Sequence, residues 1–163
     1  MAHVSCLNLL KDHSIDFKLH QHVPVFTTNE SEKIKQDIAG AHSKNLFLKD
    51  KKKNYVLLSV LDTKKVDLNA FSKTYGKGRF SFASDKDLMS LLGVIPGSVT
   101  PYGLLNDSIN KVTFYLDQDF LKSDQVNFHP LRNDMTLSVS TNNFLRFCDI
   151  INHPPLCINI IEK

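Results

Sequence analysis

Two apolar runs on either side of a lysine-rich turn constrain the fold of this chain more than any other feature. "NLFL" and "YVLLSVL" flank the segment "KDKKKN", and apolar runs joined by a short polar segment that ends in Asn predict a β-hairpin. Residues 44–53 carry five lysines against one aspartate. A solvated hairpin tip accounts for this charge as well as an anionic partner does.

Helical and extended patterns alternate irregularly along the rest of the chain. Helices are predicted from near Asp67 to Gly76, from Ser84 to Gly93, and over "VSCLNLLKDH" and "TNNFLRFCDII". Extended segments are predicted over "DFKLHQHVPVF", "KVTFYLD", "QVNFHPL", "TLSVS" and "LCINII". We therefore expect a mixed α/β (α+β) fold over residues 1–163. It should form a single compact domain, with a curled, mostly antiparallel mixed sheet or partial barrel surrounded by helices.

The composition is that of a soluble globular protein. Of 163 residues, 42% are hydrophobic and 23% are charged, with a net charge of +3, which permits a polyanionic partner without requiring one. The apolar cluster in "MAHVSCLNLLKDHSIDF" is too short and too often interrupted for a signal peptide or a membrane span. We expect a cytoplasmic protein with no membrane partner, whose three cysteines are free thiols.

The usual signatures of catalysis are missing from the sequence. It contains no GxGxxG after a strand, no Walker-type loop, no HExxH, no CxxC pair and no GxSxG elbow. His20 and His22 would supply at most half of a zinc site. We therefore predict that the protein needs neither a metal nor another cofactor.

A series of motifs resembles a known family over nearly the whole chain. The motifs are "HVPVFTTNE", "GAHSKNLFLKDKKKNYVLLSV", "VDLNAF", "SFASDKDLMSLLGVIPGSVTPYGLLND" and "NFHPLRNDMTLSVS". In this order they resemble the YbaK/prolyl-tRNA-synthetase-associated domain family, and most closely its branch of free-standing prolyl-tRNA editing proteins. The resemblance implies a trans-editing deacylase that hydrolyses the ester of mischarged tRNA(Pro), with Ala-tRNA(Pro) as the expected substrate.

The resemblance also implies a site. Lys44 would anchor a phosphate or ribose of the terminal CCA, Gly97 would let the backbone approach the ester, and His129 would orient the amino group or a water. We expect these three residues to be catalytic. Substrate contacts are expected from four regions. They are the loop after Gly97 (Ser98, Val99, Thr100 and Pro101), the strand after Lys44 (Asn45), a small amino-acid pocket (Phe26 and Thr27) and the segment after His129 (Asn133 and Thr136).

Several alternatives stay open at this point. Asn45 could instead cap the strand, Asn133 and Thr136 could brace the site, and each of the three expected catalytic residues could be structural. The partner should be the acceptor end of tRNA(Pro) rather than DNA, with prolyl-tRNA synthetase as a further candidate. The substrate could also be Cys-tRNA(Pro), or the chain could be a silent accessory module that binds tRNA or a synthetase. Near the C-terminus, "NHPP" departs from the Gly-His-Glu-Pro that the branch leads us to expect, which would alter a helix end or a tRNA contact.

Overall fold

A computed structural model describes residues 2–24 and 28–163, apart from the side chains of residues 2, 28–31 and 34. The described chain contains helices α1 (Ala2–Asp12), α2 (Thr28–Asp37), α3 (Leu68–Tyr75), α4 (Asp85–Leu92) and α5 (Thr141–Ile150), and two 3₁₀ helices (Pro101–Asn106 and Gln118–Lys122). Its strands are β1 (Lys18–Gln21), β2 (Ala41–Lys49), β3 (Tyr55–Leu61), β4 (Ser81–Phe82), β5 (Val112–Asp117), β6 (Gln125–Phe128), β7 (Met135–Ser140) and β8 (Leu156–Ile158).

The strands form one mixed sheet in the order β1-β7-β6-β2-β3-β5-β8, with the short β4 paired to β2. Four pairings are antiparallel, and the pairings β2/β6, β3/β5 and β5/β8 are parallel. Within the described residues β1 and β8 end the path without pairing with each other, so the sheet is not closed into a barrel. The expected mixed, mostly antiparallel fold is confirmed in this open form.

The central hairpin is buried on both faces. Along β3, Tyr55 and Leu57 point into the larger core cluster, whereas Val56 and Leu58 point into a smaller cluster beneath α3. Alternate residues of a strand face opposite sides of the sheet. A strand covered on both sides therefore reads as a continuous apolar run rather than an alternating one, which explains "YVLLSVL".

The predicted helix ends are confirmed. The Asp67 side chain accepts a hydrogen bond from the Ala70 N–H at 3.1 Å, and Ser84 does the same for the Asp87 N–H at 3.1 Å. Gly93 ends α4 in the left-handed conformation with a φ of 69°. These caps satisfy backbone groups that a helix end leaves without partners.

Two features differ from the expected pattern. Part of the stretch 94–103 is a 3₁₀ helix rather than an open loop, because Pro101 starts the turn and the buried Tyr102 and Leu104 anchor it in the core. The predicted strand "LCINII" pairs only at Leu156–Ile158.

In the described part of the chain, Cys6, Cys148 and Cys157 are unpaired as expected, and no helix there has the length and apolarity needed to span a bilayer.

Candidate functional site

Lys44 and His129 lie where two parallel strands separate. The pairing of β2 with β6 stops at His42 opposite Asn127. Lys44 lies two residues further along β2, and His129 lies two residues after Asn127, just past the end of β6. Beyond this point β2 continues its pairing with β3, while the chain after β6 turns at Pro130. The region between Lys44 and His129, where the two strands are no longer paired, is called the cleft below.

One nitrogen of the His129 ring makes a hydrogen bond, and the other has no partner within the part of the chain that the structure describes. Its Nδ1–H donates to the main-chain carbonyl oxygen of Met135 at 2.7 Å. Burial lowers the pKa of His129 below its ordinary value, and this effect outweighs the opposing hydrogen bond to Met135. The imidazole is therefore neutral near pH 7, and its Nε2 carries a lone pair that can accept a proton or a hydrogen bond.

His22 makes a hydrogen bond with Thr136 and lies close to His129. The His22 Nδ1–H donates to the Val23 carbonyl at 2.8 Å, and its Nε2 lies 2.9 Å from the Thr136 hydroxyl. In this tautomer Thr136 donates to Nε2. The ring centroids of His22 and His129 are 6.3 Å apart. Thr136 is thus brought to the site, where it braces a histidine that sequence reasoning considered only as half of a metal site.

The Lys44 ammonium donates a hydrogen bond to the main-chain carbonyl oxygen of Lys64. That carbonyl lies in a turn that two ion pairs of the Lys64 side chain stabilise, since Lys64 Nζ is 2.9 Å from Asp117 and 2.7 Å from Asp119. Asp117 is fully buried and also accepts from the Leu61 N–H at 3.1 Å. An ammonium has three N–H groups, and only the one given to Lys64 has a partner among the described residues. Lys44 therefore has two donors for a ligand, while this buried network sets its position.

Asn45 lies on the opposite face of β2 from Lys44. Its Oδ1 accepts from the Ser59 hydroxyl at 2.5 Å, and its Nδ2 donates to the Ser43 hydroxyl at 3.2 Å. Ser43 in turn donates to the main-chain carbonyl of Asn127 at 3.1 Å. Asn45 therefore ties β2 to β3 and, through Ser43, to β6 just before the strands separate.

A buried relay of polar side chains fixes the start of β2. His20 Nε2 donates to the Ser138 hydroxyl at 3.0 Å, and Ser138 donates to Asn127 Oδ1 at 2.5 Å. Asn127 Nδ2 donates to the carbonyls of Ala39 and Ala41 at 3.0 and 3.2 Å. This relay was missed from the sequence, although the alternation of His20 and His22 opposite the alternating hydroxyls of "TLSVS" was a signal for it.

The Gly97 loop begins with a type II turn. The Ser98 N–H donates to the Ile95 carbonyl at 3.1 Å, Pro96 occupies the second position and Gly97 the third, with a φ of 88°. A Cβ built on Gly97 would meet no atom of the described residues within 4 Å. The Ser98 N–H is used by the turn. Among the described residues, the N–H groups of Gly97 and Val99 have no such acceptor.

The end of this loop is structural in its contacts. Thr100 and Pro101 are buried, and the Thr100 hydroxyl accepts from the Tyr102 N–H at 3.3 Å. The Tyr102 ring packs edge-on against Phe128, with centroids 6.1 Å apart. Because Phe128 directly precedes His129, this contact links the loop to the cleft.

The remaining candidates fall into two groups. Asn133 lies half-buried in the turn between β6 and β7, whereas Phe26 and Thr27 are outside the described residues. Within residues 2–24 and 28–163, no three His, Cys, Asp or Glu side chains are grouped closely enough to hold a metal ion.

Comparison with known proteins establishes the family. The model of the aminoacyl-tRNA editing domain matches residues 22–147. The chain belongs to the aminoacyl-tRNA editing domain family. Because the members of this family are deacylases, the expectation of an aminoacyl-tRNA deacylase is confirmed at the level of the family.

Individual relatives of this editing domain cover most of the chain. It is 40% identical over 144 residues to prolyl-tRNA synthetase associated domain-containing protein 1 of Mus musculus, which covers 85% of each chain. It is 35% identical over 132 residues to the prolyl-tRNA editing protein ProX of Acetoanaerobium sticklandii, covering 80% of each. Its fold matches a solved protein described as a candidate trans-editing enzyme for prolyl tRNA synthetase, with a TM-score of 0.75 at 18% identity over 99% of this chain and 98% of that chain.

Proposed function

We propose that this editing domain hydrolyses the ester bond of mischarged tRNA(Pro) in trans, and that Ala-tRNA(Pro) is its preferred substrate. The observation that carries the proposal is the cleft at the separation of β2 and β6, which has an ammonium donor on one side and a neutral imidazole on the other. The relatives named for prolyl-tRNA editing supply the identity of the tRNA. We further propose that residues 1–163 act as one editing domain in the cytoplasm, where it meets charged tRNA.

Hydrolysis of an aminoacyl ester requires few catalytic groups from the protein. Water attacks the ester carbonyl carbon, the bond from that carbon to the ribose oxygen breaks, and the ribose oxygen takes a proton, giving free amino acid and intact tRNA. Because an aminoacyl ester is already activated, positioning of the substrate and of the water supplies much of the rate enhancement. A nucleophilic side chain is not needed.

Each expected catalytic residue has a role that suits its surroundings. Lys44 binds a phosphate or ribose of the CCA end with the two N–H groups that Lys64 leaves available. His129 Nε2 accepts a hydrogen bond from the substrate amino group or from the attacking water. We assign the ester to the open space above Gly97, and the developing oxyanion to the N–H groups of Gly97 and Val99, which have no carbonyl acceptor among the described residues.

Selection of alanine over proline requires steric exclusion. A hydrophobic pocket separates substrates that differ by one methylene by only about 1–3 kcal/mol, so a small pocket that cannot admit proline is the stronger device. We propose that Phe26 and Thr27 form its wall, and that Asn133 in the β6–β7 turn contacts the substrate or braces the site. Prolyl-tRNA synthetase is the candidate protein partner, since the mouse relative bears the synthetase in its name.

The test is hydrolysis of Ala-tRNA(Pro), Cys-tRNA(Pro) and Pro-tRNA(Pro) by the wild-type protein and by Lys44→Ala. We expect the wild-type protein to hydrolyse Ala-tRNA(Pro) rapidly, Cys-tRNA(Pro) more slowly and Pro-tRNA(Pro) not at all. Lys44→Ala should lower kcat/KM at least 100-fold, which is the effect of removing one preorganised hydrogen-bond donor. Faster hydrolysis of Cys-tRNA(Pro) than of Ala-tRNA(Pro) would show that Cys-tRNA(Pro) is the preferred substrate. No hydrolysis of any ester would contradict the deacylase and leave a tRNA-binding module.

A further inference from the structure

One face of the sheet next to the cleft carries polar side chains. Along β6 and β7, the alternate residues Val126, Leu137 and Val139 belong to the larger core cluster. Successive side chains of a strand point to opposite faces of the sheet, so the residues between them lie on the other face, which we call the polar face. Its side chains on β1, β7, β6 and β2 include His20, Thr136, Ser138, Asn127, His42 and Lys44.

His42 lies on the polar face beside Lys44. It is half-buried, and it is the last residue of β2 that pairs with β6, two positions before Lys44. Two positions correspond to about 7 Å along a β-strand. Burial is the main cause of the lowered pKa of His129, and the charge that the neighbouring His22 or His42 carries when protonated lowers this pKa further. His42 is therefore close to both expected catalytic side chains of the cleft.

One nitrogen of the His42 ring makes a hydrogen bond that fixes the ring. Its Nε2–H donates to the main-chain carbonyl oxygen of Ile38 at 2.8 Å, and the His42 carbonyl accepts from the Asp62 N–H at 3.1 Å. A carbonyl can only accept, so in the neutral ring the proton is on Nε2 and the lone pair is on Nδ1. Among the described residues, Nδ1 has no hydrogen-bond partner. His42 therefore presents a hydrogen-bond acceptor that the fold holds in place.

The histidines of β1 are less suited to a ligand beside Lys44. The Nε2 lone pair of His22 is occupied, because it accepts from the Thr136 hydroxyl at 2.9 Å. His20 is bonded to Ser138, and β7 and β6 separate its strand from β2. Since the side chains that the structure describes form no group of three that could hold a metal ion, a donor group of the substrate is the partner that suits the acceptor on β2.

The α-amino group is the part of an aminoacyl ester that needs an acceptor. In its ammonium form an amine has three N–H donors and no acceptor, and a donor that is buried without a partner weakens binding. We propose that His42 Nδ1 accepts a hydrogen bond from the α-amino group of the substrate, and thereby makes a free α-amino group a requirement for tight binding. This inference rests on the proposed function, and it leaves His129 Nε2 for the attacking water.

The proposed contact places two parts of the substrate on neighbouring positions of β2. Lys44 donates to a phosphate or ribose oxygen of the CCA end, whereas His42 accepts from the amino group. A phosphate bound to Lys44 also offsets its positive charge, which would otherwise repel an ammonium about 7 Å away. One strand would thus contact the aminoacyl ester on both sides of its ester bond.

A purely structural role for His42 would use the other nitrogen of the ring. The bond to Ile38 involves Nε2, whereas the proposed contact involves Nδ1. A glutamine side chain can place its amide N–H near the position of Nε2, and an asparagine side chain can place its amide oxygen near the position of Nδ1. His42→Gln therefore keeps the bond to Ile38 and removes the acceptor, while His42→Asn does the reverse.

The experiment measures binding of two stable amide analogues of the aminoacyl end. Each is a short oligonucleotide that ends in CCA, in which an amine replaces the terminal 3′-hydroxyl and is acylated either with alanine or with propionic acid, which lacks the amino group. Fluorescence anisotropy should show that the wild type binds the alanyl analogue at least about 10-fold more tightly, as expected for a hydrogen bond to a charged group.

The variants separate the two nitrogens of the ring. His42→Gln should bind both analogues with the affinity that the wild type has for the propionyl analogue. His42→Asn should retain part of the preference for alanine but unfold at a lower urea concentration. The matched control is His13→Gln, because His13 also bonds a carbonyl four residues earlier, that of Leu9 at 3.0 Å, but lies just after α1. This control should match the wild type on both analogues.

A measurement on the wild type avoids any dependence on the folding of the variants. In protein with isotope-labelled histidine, the NMR signal of His42 Nδ1 should shift when the alanyl analogue is added and stay in place with the propionyl analogue. Equal wild-type affinity for the two analogues, an Nδ1 signal that does not respond, or a preference for alanine that survives in His42→Gln would overturn the inference. An equal loss of affinity for both analogues in His42→Gln would assign His42 a structural role and overturn it as well.

Hydrolysis of the corresponding alanyl and propionyl esters tests the proposed function separately. If the wild type hydrolyses the alanyl ester but shows no preference for the amine, only the assignment of His42 fails. If binding depends on the amine and on His42 but neither ester is hydrolysed, the assignment of His42 is supported and the deacylase is contradicted. Failure to bind either analogue would contradict both.

Discussion

His129 donates its Nδ1–H to the carbonyl oxygen of Met135 at 2.7 Å, and this bond determines what the other side of the ring can do. A carbonyl can only accept, so the proton must reside on Nδ1 and the lone pair on Nε2. The β6–β7 turn thereby sets both the orientation and the tautomer of the imidazole. This is the arrangement that a general base or a hydrogen-bond acceptor at the cleft requires.

The lowered pKa of His129 predicts the acid limb of the pH profile. Because burial lowers its pKa below the ordinary value of 6.5, more than half of the His129 rings should be neutral at pH 6.5. The acid limb of deacylation, along which the ring is protonated, should therefore be centred below that pH. The measurement is kcat/KM against pH, and an acid limb centred above 6.5 would contradict a neutral His129 as acceptor.

The free energy of unfolding should also depend on the protonation of His129, and it should decrease as pH falls. As pH falls below the unfolded value of about 6.5, the unfolded chain binds a proton that folded His129 does not, so the free energy of unfolding decreases. The loss levels off below the folded pKa. Urea unfolding of His129→Asn should show a weaker decrease over this range than the wild type.

The buried Asp117 should be a sensitive point for stability. Asp117→Ala leaves the N–H groups of Leu61 and Asp119 without their acceptor and removes a partner of Lys64. We expect a loss of about 3 kcal/mol in the free energy of unfolding. Asp117→Asn should cost less, since its remaining oxygen still accepts one of these bonds.

The control for Asp117 is the exposed Asp124, which makes no ion pair with any described side chain. Asp124→Ala should change the free energy of unfolding by less than about 0.5 kcal/mol. Because the Lys64 carbonyl holds Lys44, Asp117→Asn should also reduce kcat/KM for deacylation, whereas Asp124→Ala should not. Equal stability of the two alanine variants in urea would contradict a structural role for the buried pair.

Local signals in the sequence determined most of the fold. The caps at Asp67 and Ser84 and the stop at Gly93 are decided by neighbouring residues, so their positions were predictable. The 3₁₀ helix at Pro101–Asn106 was not, because it depends on the burial of Tyr102 against Phe128 and Phe144, which are distant in sequence. Strand order likewise depends on long-range pairing.

The candidate site was predictable only through the resemblance. Lys44 is one lysine among many, and nothing near it in sequence shows that its partner is the Lys64 carbonyl. The pairing of β2 with β6 brings Lys44 near His129, 85 positions away, and no periodicity reports that register. His22 was visible in the sequence, but its bond to Thr136 requires β1 to lie beside β7.

The C-terminal segment "NHPP" differs from the expected Gly-His-Glu-Pro, yet helix α5 still ends in a regular cap. After α5, Asn152 has a φ of 61°, its N–H donates to Asp149, and the His153 N–H donates to Cys148 at 2.8 Å. This is a Schellman cap in which Asn occupies the position that favours glycine. Asn152→Gly should therefore raise the free energy of unfolding by about 0.5–1 kcal/mol without changing deacylation. If Asn152→Gly instead lowers the free energy of unfolding, the Asn152 side chain makes a contact that stabilises the protein more than glycine at a positive φ does.

Gly97 offers a test that separates backbone geometry from access. Its φ of 88° is required by the type II turn, yet a Cβ there would meet no atom within 4 Å in the described part of the protein. Asn tolerates a positive φ and Val does not, so Gly97→Asn should preserve the turn while Gly97→Val strains it by about 1–2 kcal/mol. Both side chains, however, project into the space that we assign to the ester.

We therefore expect both Gly97 variants to lose deacylation, while only the valine variant loses stability in urea. The reason is that a close approach of substrate to the backbone is blocked by any Cβ, whatever the turn tolerates. If Gly97→Asn retains wild-type kcat/KM, the glycine serves only the turn, and the ester must bind closer to Lys44 and His129 than to this loop. Loss of activity in a folded, stable Gly97→Asn protein would instead place the loop against the substrate.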